Sequence, residues 1–138
     1  MIRLIVSLML FISSHVMGQN SEDTQQLSAE VVNLRNDNGS VGFALYDEES
    51  FMKQPIQAQY ISIQEGKASV TFDNLKPGTY AVLVFHDENS NGRMDFEENG
   101  MPKEDYGMSN NDMSFGPPTF EQAKFNFTGE SLKLEIKL

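Results

Sequence analysis

Apolar and polar residues alternate with a period of two along most of the chain after position 26, in short runs separated by turn residues. This alternation is typical of β-strands that bury one face, and no stretch sustains a helical period. The predicted strands are 27–34, 41–46, 60–63, 68–72, 80–85, 124–127 and 132–138. About seven short strands with turn signals between them predict an all-β fold, a single Greek-key β-sandwich.

Local signals add detail to this pattern. Residues 80–85 are nearly all apolar, as expected of a central strand that is buried on both faces. The turn residues 65–67 predict a hairpin between the third and fourth strands. Thr119 can cap a short helix over 119–123, and Glu121 lies in its first turn.

Residues 99–120 are the exception, because they are rich in glycine and proline and have no periodicity. A loop of this length in a compact domain is uncommon unless it is functional or fixed by a ligand. The alternative is a surface excursion packed by its own Tyr106, Met108 and Phe115. The sequence leaves both interpretations of this long loop open.

The N-terminal segment 1–18 has the layout of a secretory signal peptide. Arg3 supplies a positive charge, an apolar run follows over 4–12, and cleavage is expected after Gly18. The alternative is a membrane anchor, but the run is shorter than the roughly 20 residues that a spanning helix needs. The sequence therefore predicts a cleaved signal peptide and a periplasmic or extracellular protein.

Composition then limits the classes of partner. The 138 residues include 10 Lys+Arg, 20 Asp+Glu and no cysteine, so the net charge is −10. This charge repels nucleic acids and anionic membranes, and we expect neither as a partner after signal cleavage. The lack of cysteine excludes disulfides, thiolate metal sites and thiol catalysis. One domain is expected over 27–138, preceded by a polar, flexible arm over 19–26.

The charge is concentrated in one segment, residues 87–105, here called the acidic loop. It holds seven acidic and two basic residues, a net charge of −5. Its first twelve residues place oxygen-bearing groups at the ligand positions of a calcium loop, with Gly92 at the sharp turn. The predicted ligands are Asp87, Asn89, Asn91, Arg93 through its backbone carbonyl, Asp95 and Glu98. The alternative is an Asn-Gly turn that carries solvated acids.

Calcium is the expected cation, since Mg²⁺ prefers a smaller octahedral shell and retains several waters. The usual frame of this motif is a helix on each side, whereas here a predicted strand precedes it. His86, beside the loop, could be a metal ligand or a base, but no Ser-His-Asp spacing accompanies it. A histidine at the end of a buried strand more often orders a loop. Ser109, Asn110 and Asn111 could line a polar pocket, although turn formation is the preferred interpretation.

An ordered series of motifs resembles a bacterial family of exported proteins known as domain of unknown function 2141. The motifs are residues 75–82, 86–89, 91–92, 95, 100–104, 106–107, 109–110, 115–118 and 120–125. The strand pattern predicts an immunoglobulin- or prealbumin-like sandwich. The resemblance implies a sandwich similar to prealbumin-like or carboxypeptidase-regulatory-like domains, and it implies no activity. Family members tend to carry an apolar residue in place of Glu98, so a later acid such as Glu104 could complete the site.

These observations predict an exported, non-catalytic module that binds one calcium ion, which would order the long adjacent loop. The alternative is a glycan- or peptide-binding surface without metal, formed by Tyr106, Asn110, Asn111 and Phe115. A third hypothesis, a hydrolase that uses His86 with a loop carboxylate, has the least support. The expected partners are a divalent cation and an unidentified protein or glycan.

Overall fold

A computed structural model of the protein describes residues 25–112, 114 and 116–138. The predicted signal peptide, most of the predicted arm and Phe115 lie outside these residues. At the end of the arm, the carbonyl of Gln26 accepts a hydrogen bond from the Leu132 amide at 2.9 Å.

Eight strands and two short helices form the described chain. The strands are β1 (Leu27–Val31), β2 (Ser40–Tyr46), β3 (Gln57–Ser62), β4 (Ala68–Phe72), β5 (Gly78–Asp87), β6 (Tyr106–Met108), β7 (Phe125–Phe127) and β8 (Leu132–Ile136). A 3₁₀ turn occupies Ser109–Asn111, and the helix α1 occupies Phe120–Ala123. Among the described residues, no helix has both the length and the apolar character that crossing a bilayer requires.

The strands form two sheets that pack face to face. The first sheet has the order β4-β1-β8, with β8 parallel to β1. The second has the order β3-β2-β5-β6, and β7 pairs with the beginning of β5. After the β2–β3 pair, β4 returns to lie antiparallel beside β1, which is a Greek-key connection. The predicted all-β sandwich is confirmed.

The core lies between the sheets and follows the period-two alternation. In β1, Leu27, Ala29 and Val31 are fully buried, while the residues between them are partly exposed. The largest fully buried side chains are Phe43, Phe72 and Phe127. Each such aromatic side chain adds about 1.5–3 kcal/mol through removal of its apolar surface from water.

The strand β5 is buried on both faces, as its apolar run predicts. Val82 and Val84 belong to the central core, whereas Ala81 belongs to a second cluster on the opposite face. That second cluster includes Met108 and Ala123, and Phe51, Leu83 and Phe120 pack against it. The strand that leads into the acidic loop is therefore fixed from both sides.

The predicted hairpin between the third and fourth strands is wrong. Only Gln64 and Lys67 pair across the turn. The strand before the turn, β3, belongs to the second sheet, and the strand after it, β4, belongs to the first. The predicted unstructured stretch 99–120 also contains a strand, since β6 pairs with Leu83–Phe85 of β5. The predicted short helix is confirmed, and Thr119 forms a capping box with Gln122.

Candidate metal centre

The acidic loop begins at Asp87, the last residue of β5, and this side chain organises its first turn. Asp87 is 1% exposed. Its Oδ1 accepts a hydrogen bond from the Asn91 amide at 3.2 Å, and its Oδ2 accepts one from the Gly92 amide at 2.8 Å. Gly92 has φ of +75°, a conformation that glycine adopts without steric cost. The sharp turn predicted at this position is present.

Asp95 is the second carboxylate of the centre, and two amide side chains bind it. Asn89 Nδ2 lies 2.7 Å from Asp95 Oδ2, and Asn91 Nδ2 lies 2.8 Å from Asp95 Oδ1. The hydrogen bond from Asn89, and then that from Asn91, hold the pKa of Asp95 below its usual value. The amide N–H groups thus supply the positive ends of dipoles beside this carboxylate.

Glu104 is the third carboxylate, and it is only 8% exposed. Burial raises the pKa of the Glu104 carboxyl, and repulsion from Asp87 and Asp95 raises it further. Its Oε2 lies 3.4 Å from the Asp95 amide, so it also tethers the chain at the centre. The charges of Asp87 and Asp95 therefore both act on the Glu104 carboxyl.

A fold-back of the chain brings Glu104 to this place. Lys103 donates its amide hydrogen to the Asp95 carbonyl at 2.9 Å, and Glu97 donates to the Met101 carbonyl at 2.7 Å. These bonds and the bridge between Phe96 and Pro102 form a small antiparallel ladder. Glu104, which follows Lys103, consequently lies beside the residues of the twelve-position motif.

Glu98, the predicted position-twelve ligand, lies on the surface instead. It is exposed and makes no hydrogen bond or ion pair with any described residue. A turn closed by the Gly100 amide and the Glu97 carbonyl, at 2.9 Å, carries it outward. In the part of the chain that the structure describes, no three His, Asp or Glu side chains have the arrangement of a metal site.

The amide side chains of Asn89 and Asn91 are oriented differently from those of a cation site. The Oδ1 of Asn91 accepts a hydrogen bond from the Arg93 amide at 3.1 Å, while its Nδ2 faces Asp95. A cation beside Asp95 would need the oxygens of Asn89 and Asn91 instead of their nitrogens. Rotation of these two amide groups would supply them, and Arg93 would contribute its backbone carbonyl.

His86 is fully buried and anchors the base of the acidic loop. Its Nε2 donates to the Asn38 carbonyl at 2.6 Å, and its backbone amide donates to the Asp105 carbonyl at 2.9 Å. Its Nδ1 lies 3.8 Å from Glu88 Oε1 and has no hydrogen-bond partner among the described residues. His86 therefore connects the β1–β2 turn to both ends of the acidic loop.

Replacing His86 with alanine is expected to lower the free energy of unfolding by about 2–4 kcal/mol, since it leaves a cavity and an unpaired Asn38 carbonyl. His86→Gln retains a side-chain donor and should recover part of this loss. Urea unfolding followed by circular dichroism measures both variants. If His86→Ala unfolds with the same free energy as the wild type, His86 does not stabilise the fold.

The remaining predicted site residues hold the fold together. Ser109 is buried, accepts a hydrogen bond from the Val82 amide at 3.0 Å and donates to the Ala123 carbonyl. The Nδ2 of Asn110 donates to the Lys124 carbonyl at 2.7 Å. The amide group of Asn111 is likewise bonded to the backbone of Glu135 and Lys137. Tyr106, in contrast, is 38% exposed on β6.

The fold and this loop define a small β-sandwich protein with an acidic cluster at the end of its central strand. The chain belongs to the bacterial family described as "uncharacterized protein conserved in bacteria", domain of unknown function 2141, whose profile matches residues 29–135. No curated protein and no solved structure matches the chain. The predicted family is thus confirmed, while its prealbumin-like character stays a prediction.

Proposed function

We propose that the protein is an exported, non-catalytic module that binds one calcium ion in the acidic loop. The observation that carries this proposal is the burial of Glu104 beside Asp87 and Asp95. A buried carboxylate close to two others costs free energy at neutral pH unless a cation compensates it. A calcium ion would remove this repulsion and join the two ends of the loop.

The oxygen donors at this place suit calcium in kind and number. Calcium takes six to eight hard oxygen ligands, including carboxylates, amide oxygens, backbone carbonyls and water. We propose Asp87, Asp95 and Glu104 as the carboxylate ligands, with Glu104 in the role that the spacing assigns to Glu98. The neutral ligands are proposed to be the amide oxygens of Asn89 and Asn91 and the backbone carbonyl of Arg93.

A calcium titration of the purified protein tests this proposal. At a calcium concentration one hundred times Kd, binding stabilises the folded state by about 2.7 kcal/mol. For a domain of this size the melting temperature should rise by about 8–15 °C and return to its initial value with a chelator. Mg²⁺ at the same concentration should give a smaller shift. An unchanged melting temperature, with no heat of binding in calorimetry, would refute the calcium site.

The variants Glu104→Gln and Glu98→Gln distinguish the two acids that could complete the site. The pKa of Glu104 is raised in the folded state, so its charged form destabilises the calcium-free protein at neutral pH. This penalty disappears as the pH falls from above the raised pKa toward the usual carboxyl value. Glu104→Gln should therefore raise the calcium-free melting temperature and weaken calcium binding at least ~30-fold.

Glu98→Gln is the matched control, because it removes one exposed charge from the same loop. It should change the calcium Kd by less than about 3-fold, as expected for an exposed charge outside the ligand shell. The opposite result, with Glu98→Gln weakening binding more than Glu104→Gln, would assign position twelve to Glu98.

Export is the second part of the proposal, and it depends on the N-terminal sequence. A periplasmic or extracellular location would expose the loop to calcium levels at which a weak site is occupied. Expression of the full chain in a bacterium, followed by fractionation and N-terminal sequencing, tests it. A mature protein that begins at Gln19 supports export, whereas retention of residues 1–18 in the cytoplasmic fraction contradicts it.

The metal-free alternative, a glycan- or peptide-binding surface, has less support. It relies on Asn110 and Asn111, and the amide groups of both are bonded to backbone groups. Tyr106 alone among its described residues presents an exposed aromatic surface.

A further inference from the structure

An open groove lies on the outer face of the second sheet, on the side away from the core. Its volume is about 510 Å³. The floor comes from β2 and β5 and includes Ala44 and Phe85. One wall comes from the acidic loop and includes Phe96 and Met101, and Tyr106 of β6 also lines the groove. The groove is thus separate from the three carboxylates of the candidate metal centre, although the same loop contributes to both.

The apolar side chains of this wall are exposed to an unusual degree for residues of their size. Phe96 is 57% exposed and Met101 is 61% exposed. Their loop is held by backbone hydrogen bonds on both strands of its small ladder, so these side chains are presented on a fixed backbone. Apolar exposure that is contiguous with a groove and rimmed by polar groups marks a ligand site.

Charge and aromatic content indicate the chemical class of the ligand. The described residues that line the groove carry no charge of either sign, and four of them are aromatic. The aromatic lining residues are Tyr46, Phe85, Phe96 and Tyr106. The exposed acids Glu97 and Glu98 follow Phe96 directly, within a loop whose net charge is −5. Aromatic faces attract organic cations, and the negative net charge of the loop that forms one wall raises the local concentration of cations.

We propose that this groove binds a small organic cation, in which an apolar or aromatic body carries a quaternary ammonium or a similar charged group. The body would pack on Phe85 and Met101, while the charged group would lie over the aromatic faces of the groove. The volume of the groove is in the range of sites for drug-sized molecules. This proposal does not depend on calcium binding.

Thioflavin T, a planar aromatic cation, is a direct probe of this site. We expect saturable binding in the presence of a chelator and also in the presence of calcium. Anilinonaphthalene sulfonate, an aromatic anion of similar size, should bind at least 10-fold more weakly. Benzyltrimethylammonium should displace the bound dye, and benzenesulfonate should not.

Variants at exposed positions assign the site without disturbing the core. Phe96→Ala and Met101→Ala should each weaken thioflavin T binding at least 5-fold. Ile56→Ala is the matched control, because Ile56 is an exposed apolar residue that does not line the groove. Equal affinity for the cationic and anionic dyes, or equal effects of Ile56→Ala and Phe96→Ala, would overturn the proposal. Because binding is measured both with a chelator and with calcium, this result and that of the calcium titration are independent.

Discussion

Replacing Asp87 with alanine is expected to lower the free energy of unfolding by about 2–4 kcal/mol without calcium and to abolish calcium binding. The carboxylate is buried and accepts hydrogen bonds from the Asn91 and Gly92 amides. Hydrogen bonds to a charged group are worth about 1.5–3 kcal/mol each. Relief of the repulsion with Glu104 offsets part of this loss, so the net effect is smaller than the sum of the two bonds.

Two further variants separate the hydrogen bonds from the charge. Asp87→Asn keeps one oxygen acceptor, but its amide nitrogen would face a backbone N–H. It should therefore lower the free energy of unfolding by about half as much as Asp87→Ala does. Glu97→Ala removes an exposed acid from the same loop and should change stability by less than about 0.5 kcal/mol. Urea unfolding and calcium calorimetry measure all three variants. A calcium response that survives in Asp87→Ala would exclude Asp87 from the site.

The sequence predicted those parts of the fold that depend on one face of a strand being buried. Burial of Leu27, Ala29 and Val31 requires a period of two, and this period is visible without any knowledge of the partner strand. The apolar run of β5 similarly predicted burial on both faces. The prediction of a β3–β4 hairpin was wrong because the turn residues look the same whether two strands pair or separate into different sheets. That choice depends on the packing of β4 against β1, which is distant in sequence.

The candidate site shows the same division between local and non-local information. The spacing of Asp87, Gly92 and Asp95 predicted a turn that the structure contains, because these contacts lie within a few residues. Glu104 reaches the centre only through the ladder around Phe96 and Pro102, and no local spacing encodes that register. The strand β6 was missed for a related reason, since three residues are too few to show a period.

Replacing Gly39 with alanine is expected to lower the free energy of unfolding by about 3–5 kcal/mol and to weaken calcium binding. Gly39 has φ of +68°, and a Cβ atom at this position would overlap the Asp87 carbonyl oxygen. The neighbouring residue Ser40 pairs with Asp87 in the sheet, so the overlap cannot be relieved without moving β2 or β5. Movement at this place also shifts the carbonyl of Asn38 that binds His86.

Gly100→Ala is the matched control for this effect. Gly100 has φ of +84°, but a Cβ atom there would meet no described atom within 4 Å. Gly100→Ala should therefore lower the free energy of unfolding only by the cost of placing alanine in a left-handed backbone conformation, about 1–2 kcal/mol. The difference between the two variants in urea unfolding measures the steric contact between the β1–β2 turn and the base of the acidic loop. Equal losses of stability would mean that the turn can move away from Asp87, and that the acidic loop does not depend on it.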